Sequence, residues 1–366
     1  MIPYVKGRVA VQAHVGVPEG TFEEEYAREG FFGRYAHLYR RHAPVGWTAI
    51  QGDLRPRAFD ANPLFASGEG GPRREIILEN GDVEIAFVVM DRPAPYYYRN
   101  ADGDELYFVH KGDGCLETDF GPLQYAPGDY LVVPRGTAHR FVPERATVLL
   151  ETLAFSEYRL PEKGMLGQHA LFDPAVIRVP EPAAPSADAP RELRIRRAGE
   201  LTRVTYPYCP LDVVGWKGTL TVWQLNVRDI RPVLSDQYHL PPSAHTTFVA
   251  NGFVVCTFLP RPLENGDPRA MRVPFYHSNI DYDEVLFYHA GDFFSRTGIR
   301  PGMLTFHPQG IHHGPQPGAI ARTEGVSRTN EIAVMIDTRR PLRHAAAANG
   351  IEVQDYWRSW RNPEVK

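Results

Sequence analysis

Two segments of this sequence occur twice, and this internal repeat constrains the fold more than any other feature. The first half contains YYYRNADGDELYFVHKGDG and, shortly after it, APGDYLVVPRGTAHRF. The second half contains FYHSNIDYDEVLFYHAGDF and then RPGMLTFHPQGIHHGP. Glu105 corresponds to Glu284 and His139 to His313, and the turn glycines and prolines recur at matching places. Because the chain has 366 residues, the repeat predicts two copies of one kind of domain.

A change of composition separates the two copies. The stretch VPEPAAPSADAP is rich in Pro and Ala and poor in large apolar residues, so it is typical of a semi-extended linker without a core of its own. We therefore predict an N-terminal domain over residues 1–177, a linker over 178–193 and a C-terminal domain over 194–366.

Short runs of aromatic and β-branched residues, bounded by Gly, Pro, Asn and Asp, predict an all-β protein. Examples are Val83 to Val89 and Phe253 to Leu259. Few segments favour a helix. The best is Phe22 to Arg41, in which aromatic and apolar residues recur at roughly helical spacing, and a second short piece lies near Pro341 to Ala348.

Charge and cysteine content exclude several classes of protein. The formal net charge is −4 and the basic residues are scattered, which argues against nucleic acid as a partner. The longest apolar runs have the length of strands, so we expect no membrane span. The three cysteines, Cys115, Cys209 and Cys256, are far apart and belong to no CxxC motif, which indicates a reducing compartment. We expect a cytoplasmic protein.

The repeated segments resemble the two signature segments of the cupin superfamily: an aromatic-rich loop feeding an acidic strand, then PGD and PxGxxH. The resemblance implies a bicupin, with two tandem jelly-roll β-barrels and few helices. In a cupin these segments bring metal ligands together, and the second copy has the full set in His277, Glu284 and His313. Two imidazoles and one carboxylate leave coordination positions open and suit Fe(II).

The first copy breaks this pattern. Tyr98 stands at the position of His277, so Glu105 and His139 lack a second imidazole. We predict that the N-terminal cupin-like domain is degenerate and free of metal.

Along its whole length the chain resembles the homogentisate 1,2-dioxygenase family, in stretches such as NADGDELYFVHKGDG, CPLDVVGWKG, YHLPPSAHTTFV, PFYHSN and HHGPQPGA. The resemblance implies an Fe(II)-dependent oxidoreductase of tyrosine and phenylalanine catabolism that converts homogentisate and O₂ to 4-maleylacetoacetate. It assigns the metal to His277, Glu284 and His313, and proton transfer from the substrate phenol to His239. It places His307 against substrate or behind a ligand, and implies a homo-oligomer, a trimer or a hexamer.

Two positions depart from the family pattern. The spacing from His277 to Glu284 is one residue longer, which makes Asp283 a rival ligand, and Phe293 stands where the family has a substrate-contacting Tyr. Gentisate or a hydroquinone is therefore an alternative substrate. A zinc-dependent cupin isomerase and a non-catalytic ligand-binding bicupin are alternatives from other classes.

Overall fold

The computed structural model describes residues 4–66, 71–162, 171–183, 189, 191–271, 275–322 and 325–361. Its strands are β1 Phe22–Ala27, β2 Tyr35–Arg40, β3 Arg57–Asp60, β4 Arg73–Glu79, β5 Val83–Met90, β6 Tyr97–Asn100, β7 Asp104–Lys111, β8 Gly114–Thr118, β9 Leu123–Tyr125, β10 Asp129–Val133, β11 Ala138–Pro143, β12 Thr147–Ala154, β13 Arg191–Arg197, β14 Glu200–Tyr206, β15 Trp223–Asn226, β16 Thr246–Ala250, β17 Phe253–Phe258, β18 Tyr276–Asn279, β19 Asp283–Ala290, β20 Met303–His307, β21 Ile332–Thr338 and β22 Arg343–His344.

The described helices are all short. Two are α-helical, α1 Ala319–Arg322 and α2 Ala346–Asn349, and the remainder are 3₁₀ turns at Asn62–Phe65, Pro174–Val176, Val227–Asp229, Pro242–His245 and Tyr356–Trp360. The prediction of an all-β protein is confirmed. Among the described residues no helix has the length and apolar composition needed to cross a bilayer.

Two sheets face each other in the first half. One has the strand order β15-β10-β7-β12-β5-β4-β22 and the other β14-β13-β6-β11-β8-β9. Tyr107 and Val109 of the first sheet pack against Leu116 and Phe141 of the second, with the rings of Tyr107 and Phe141 5.0 Å apart. These alternating inward residues form the core of a double-sheet jelly roll.

The opposite face of the seven-stranded sheet is also covered, because the second half packs a sheet of order β16-β17-β21-β19-β20-β3 against it. Phe87 and Phe108 meet Phe287 at this interface, with ring centroids 5.5 and 6.3 Å apart. Burying each of these rings contributes on the order of 2 kcal/mol. Because β5, β7 and β12 are covered on both faces, they are buried almost throughout rather than alternately.

Strands from each half complete the sheets of the other. The early strand β3 pairs with β20, whereas β13 pairs with β6 and β15 pairs with β10. The domain boundaries at 177 and 194 stay a prediction, and residues 184–188 and 190 of the predicted linker lie outside the described residues.

The predicted helix from Phe22 to Arg41 is wrong. This segment forms β1 and β2, and β1 also pairs in parallel with β18, so that Glu25 lies opposite His277. Helical spacing favoured a helix locally, but pairing with a distant strand supplies backbone hydrogen bonds to the segment. Partners from elsewhere in the chain compensate its buried carboxylates, as His14 does for Glu23.

Candidate metal centre and substrate pocket

Two strands and one loop bring three predicted ligands together in the second half. His277 lies on β18, Glu284 near the start of β19, and His313 in the loop after β20. The backbone N–H of His277 donates to the carbonyl of His313 at 2.9 Å, and the reverse bond measures 3.0 Å. This antiparallel pairing fixes the two imidazoles beside each other, with ring centroids 3.9 Å apart.

The three side chains present their ligand atoms to one point. His313 Nε2 lies 3.3 Å and His277 Nε2 lies 3.6 Å from Glu284 Oε2. One ligand atom from each residue falls within 4.8 Å of the others, and all three residues are buried. This is the donor set of a mononuclear site with two nitrogens and one oxygen.

The hydrogen bonds around the imidazoles leave ring nitrogens that could coordinate a metal. His277 Nδ1–H donates to the carbonyl of Phe275 at 2.8 Å, which directs the lone pair of its Nε2 towards the cluster. Within the described part of the chain, the buried His277 Nε2 and both ring nitrogens of His313 make no hydrogen bond, although the two Nε2 atoms lie near Glu284 Oε2. Burial lowers the pKa of His313 to about 3, so its ring is neutral at pH 7. Unpaired buried nitrogens are costly, and a divalent cation would satisfy them.

The rival carboxylate, Asp283, points to the backbone instead. Its two oxygens accept the N–H groups of Gln309 and Leu342 at 2.8 and 2.6 Å. The first half repeats the arrangement, since Asp104 accepts the N–H group of Arg135 at 2.8 Å. In both copies this Asp holds the turn of the second signature segment in place, whereas the following Glu faces the interior.

His307 lies behind the cluster. Its Nδ1–H donates to Glu284 Oε1 at 2.7 Å, and its ring stacks on His313 with centroids 4.7 Å apart. Trp360 packs edge-on against it at 6.0 Å. His307 therefore orients the Glu284 carboxylate, and no described residue forms a hydrogen bond with its buried Nε2.

A cavity of about 70 Å³ adjoins the cluster and is lined by His239, Arg296, Phe275 and Tyr288 together with His277 and Glu284. His239 Nδ1 lies 3.0 Å from Glu264 Oε1. Burial lowers the pKa of His239 more than this hydrogen bond raises it, which keeps the imidazole neutral at pH 7. With Nδ1–H donated to Glu264, the lone pair of Nε2 is available as a proton acceptor.

Arg296 is one of two arginines in the described lining of this pocket. It is 8% exposed, its Nη1 donates to the carbonyl of Gly314 at 2.7 Å, and its buried Nε has no hydrogen-bond partner among the described residues. The other arginine in the lining, Arg261, pairs with Glu331 at 3.3 Å. Arg296 therefore retains donor capacity for an anion in the cavity.

Comparison with known proteins gives a consistent result. Residues 79–227 match the family model described as homogentisate 1,2-dioxygenase N-terminal. A protein of Saccharolobus solfataricus named "Putative dioxygenase SSO1533" is 32% identical, with 92% of each chain covered. The homogentisate 1,2-dioxygenase of Bradyrhizobium diazoefficiens is 29% identical over 80% of this chain and 68% of its own. The chain belongs to the homogentisate 1,2-dioxygenase family.

This places the protein among dioxygenases. The predicted fold class is confirmed as mostly β-sheet with few helices, and the open sheets are consistent with cupin jelly rolls. Among solved structures, a cupin 2 conserved barrel domain protein from Leptotrichia buccalis aligns with a TM-score of 0.37 and 10% identity, over 77% of this chain and 96% of that chain.

The sequence of this homogentisate 1,2-dioxygenase family member did not point to two residues at the pocket. Glu264 and Arg296 lie in segments without a recognisable motif, and only the fold brings them to His239 and the cluster. Phe293 packs against Tyr288 with ring centroids 4.6 Å apart, and it does not belong to the described lining of the cavity.

Proposed function

We propose that this chain is an Fe(II)-dependent dioxygenase that opens the ring of homogentisate with both atoms of O₂ to give 4-maleylacetoacetate, in tyrosine and phenylalanine catabolism. The observation that carries the proposal is the buried cluster of His277, Glu284 and His313, in which imidazole nitrogens make no hydrogen bond to any described residue. Membership of the homogentisate 1,2-dioxygenase family supports the same reaction.

In this proposal His277, Glu284 and His313 hold the iron, and His307 keeps the Glu284 carboxylate in place. The chemistry that Fe(II) supplies when bound is the activation of O₂ beside an electron-rich ring, at coordination positions that the three ligands leave open. Asp283 is excluded as the ligand in this proposal, because both of its oxygens are used by backbone N–H groups.

His239 takes the phenolic proton of the substrate. Its Nε2 is the acceptor, because Glu264 holds the proton on Nδ1 and burial keeps the ring neutral at pH 7. A neutral, oriented imidazole is well suited to accept a proton under these conditions. Glu264 also stabilises the imidazolium that forms, so the two residues work as a pair.

Arg296 binds the carboxylate of the acetate arm. It is buried beside the cluster and keeps an unpaired Nε, which can donate a charge-assisted hydrogen bond. The cavity of about 70 Å³ is smaller than the roughly 150 Å³ that accommodate benzene, so side chains must move when a substituted ring enters. The carboxylate therefore also anchors the ring while the pocket adjusts.

Oxygen uptake after anaerobic reconstitution with Fe(II) tests the proposal. Homogentisate, gentisate and hydroquinone are supplied in parallel, and product is identified by mass spectrometry after ¹⁸O₂ labelling. We expect equimolar consumption of homogentisate and O₂, with both labelled atoms in the product. Iron bound in equimolar amount without uptake for any of the three compounds would disprove the dioxygenase assignment.

The same assay distinguishes the substrates. Faster turnover of gentisate or hydroquinone than of homogentisate would leave the reaction class intact and contradict the substrate assignment. Reconstitution with Zn(II) is the matched metal control, because Zn(II) accepts the same ligands but has no redox chemistry. We expect the zinc form to consume no oxygen.

A further inference from the structure

The first half contains a second and larger cavity, of about 360 Å³, between its two sheets. Its inner end is formed by Tyr98, Glu105 and His139. Cavities of roughly 300 Å³ and above are of a size that binds small molecules. The cavity is therefore large enough for a substituted aromatic ring without rearrangement.

Strand register shows that this cavity occupies the place of the metal cluster in the other copy. Tyr98 lies opposite His139 in the antiparallel pair of β6 and β11, just as His277 lies opposite His313. Glu105 and Glu284 both stand second in their strands, β7 and β19. The Tyr98 phenol thus replaces an imidazole at the equivalent position.

The inner end of this cavity lacks the features of a metal site. His139 Nε2 and Glu105 Oε2 are 3.8 Å apart, and Glu105 Oε1 already accepts a hydrogen bond from Asn100 at 3.0 Å. Among the described residues, neither side chain belongs to a group of three metal-ligating residues. The space is left for an organic molecule.

The walls of the cavity are apolar and its charges are compensated. Val88, Met90 and Phe141 supply apolar surface. Each arginine in the lining pairs with a carboxylate: Arg73 with Glu75, Arg74 with Glu151, Arg140 with Glu117, Arg194 with Glu192 and Arg196 with Glu84. Because these pairs neutralise the guanidinium charges, the lining gives an anion little net attraction, which disfavours a charged molecule.

Three polar groups remain at the inner end. Among the described residues no hydrogen-bond partner lies against the Tyr98 hydroxyl. Burial lowers the pKa of His139 to about 4 and raises that of Glu105 to about 7. At neutral pH the imidazole is therefore uncharged and able to accept a hydrogen bond, while the phenol can donate or accept one.

We propose that the first-half cavity binds a small uncharged aromatic compound that carries a hydroxyl group. The ring lies against Val88, Met90 and Phe141, and the hydroxyl exchanges hydrogen bonds with Tyr98 and His139. This site is separate from the candidate metal centre and independent of the function proposed above. It gives the degenerate copy of the repeat a role in binding instead of catalysis.

Calorimetric titration of the metal-free full-length protein tests this site, with p-cresol as the probe and toluene and 4-hydroxybenzoate as comparators. We expect one p-cresol per chain, with toluene and the anionic 4-hydroxybenzoate each at least threefold weaker. Tyr98→Phe removes one hydrogen-bonding group, which corresponds to about threefold to tenfold weaker p-cresol binding. Toluene binding should not change in this variant.

Two space-filling variants locate the binding. Ala94 lines the first-half cavity and Leu286 lines the cavity at the candidate metal centre. We expect Ala94→Phe to abolish p-cresol binding and Leu286→Phe to leave it unchanged. The proposal would be overturned if Leu286→Phe abolished p-cresol binding and Ala94→Phe did not. It would also be overturned if p-cresol did not bind at millimolar concentration, or if toluene bound with equal affinity. The Tyr98→Phe comparison tests the site even if one space-filling variant does not fold.

Discussion

His277 and His313 form an antiparallel pair through two backbone hydrogen bonds of 2.9 and 3.0 Å, so the main chain itself holds their imidazoles side by side. The corresponding pair in the first half is Tyr98 and His139, whose ring centroids are 5.5 Å apart instead of 3.9 Å. The scaffold therefore occurs twice, with an imidazole at His277 in the copy that has the candidate metal cluster and a phenol at Tyr98 in the copy that has the first-half cavity.

Removal of one imidazole distinguishes the two copies. We expect His313→Ala to weaken Fe(II) binding by more than about 100-fold, because the remaining two side chains offer an incomplete site. His139→Ala is the matched control and should retain equimolar iron, measured by elemental analysis after anaerobic dialysis. Equal loss of iron in both variants would contradict the assignment of the metal to the second copy alone.

The choice between Asp283 and Glu284 can be decided with isosteric amides. Glu284→Gln removes the ligand charge, so we expect loss of iron. Asp283→Asn should keep iron but lower the free energy of unfolding by about 1–3 kcal/mol, because an amide cannot accept both backbone N–H groups. Iron content and urea unfolding measure the two effects, and the reverse result would make Asp283 the ligand.

Proton transfer depends on His239 and its partner Glu264. We expect His239→Phe to lower kcat about 100-fold with iron retained, since general base catalysis contributes at least that much. Glu264→Gln should have a smaller effect and change the acid limb of the kcat pH profile, because the charge that orients and stabilises the imidazole is lost. An unchanged pH profile would show that Glu264 has only a structural role.

Arg296 should select substrates by their carboxylate. A charge-assisted hydrogen bond corresponds to about 10-fold to 100-fold in binding, so Arg296→Met should raise KM for homogentisate by that factor. Hydroquinone lacks the carboxylate, and its KM should change little in the same variant. A parallel increase for both compounds would show that the substitution disturbs the pocket as a whole.

The two halves are also linked by a histidine pair at their interface. His110 Nδ1 and His289 Nδ1 are 2.9 Å apart, and burial lowers the two pKa values to about 3 and about 4. Both pKa values lie below the unfolded value of 6.5, so the pair contributes stability above pH 6.5 that is lost as the pH falls towards 4. Between the folded and unfolded pKa values, each histidine changes the free energy of unfolding by about 1.4 kcal/mol per pH unit.

The double variant His110→Asn/His289→Asn tests this linkage, because the amides can still hydrogen-bond but do not titrate. We expect its urea stability to fall less steeply than that of the wild type between pH 6.5 and 4. Parallel curves for the two proteins would contradict the neutral pair at the interface.

Sequence predicted well what depends on local pattern. Strand-length apolar runs and turn residues predicted the all-β class, and the repeat indicated corresponding residues in the two halves. It failed at Phe22 to Arg41, where β1 pairs with β18 and the buried Glu23 has its partner in His14. The homo-oligomer stays a prediction.

The sequence by itself indicated the imidazoles of His277 and His313, through the repeat and the segment HHGPQPGA, and it left Glu284 and Asp283 as rival carboxylates. Only the tertiary structure showed that Asp283 accepts backbone hydrogen bonds, that Glu264 reaches His239 and that Arg296 lines the pocket. The physical reason is that the local sequence specifies which side chains can bind a metal. Their hydrogen-bond partners depend on strand pairing and burial, which involve distant segments of the chain.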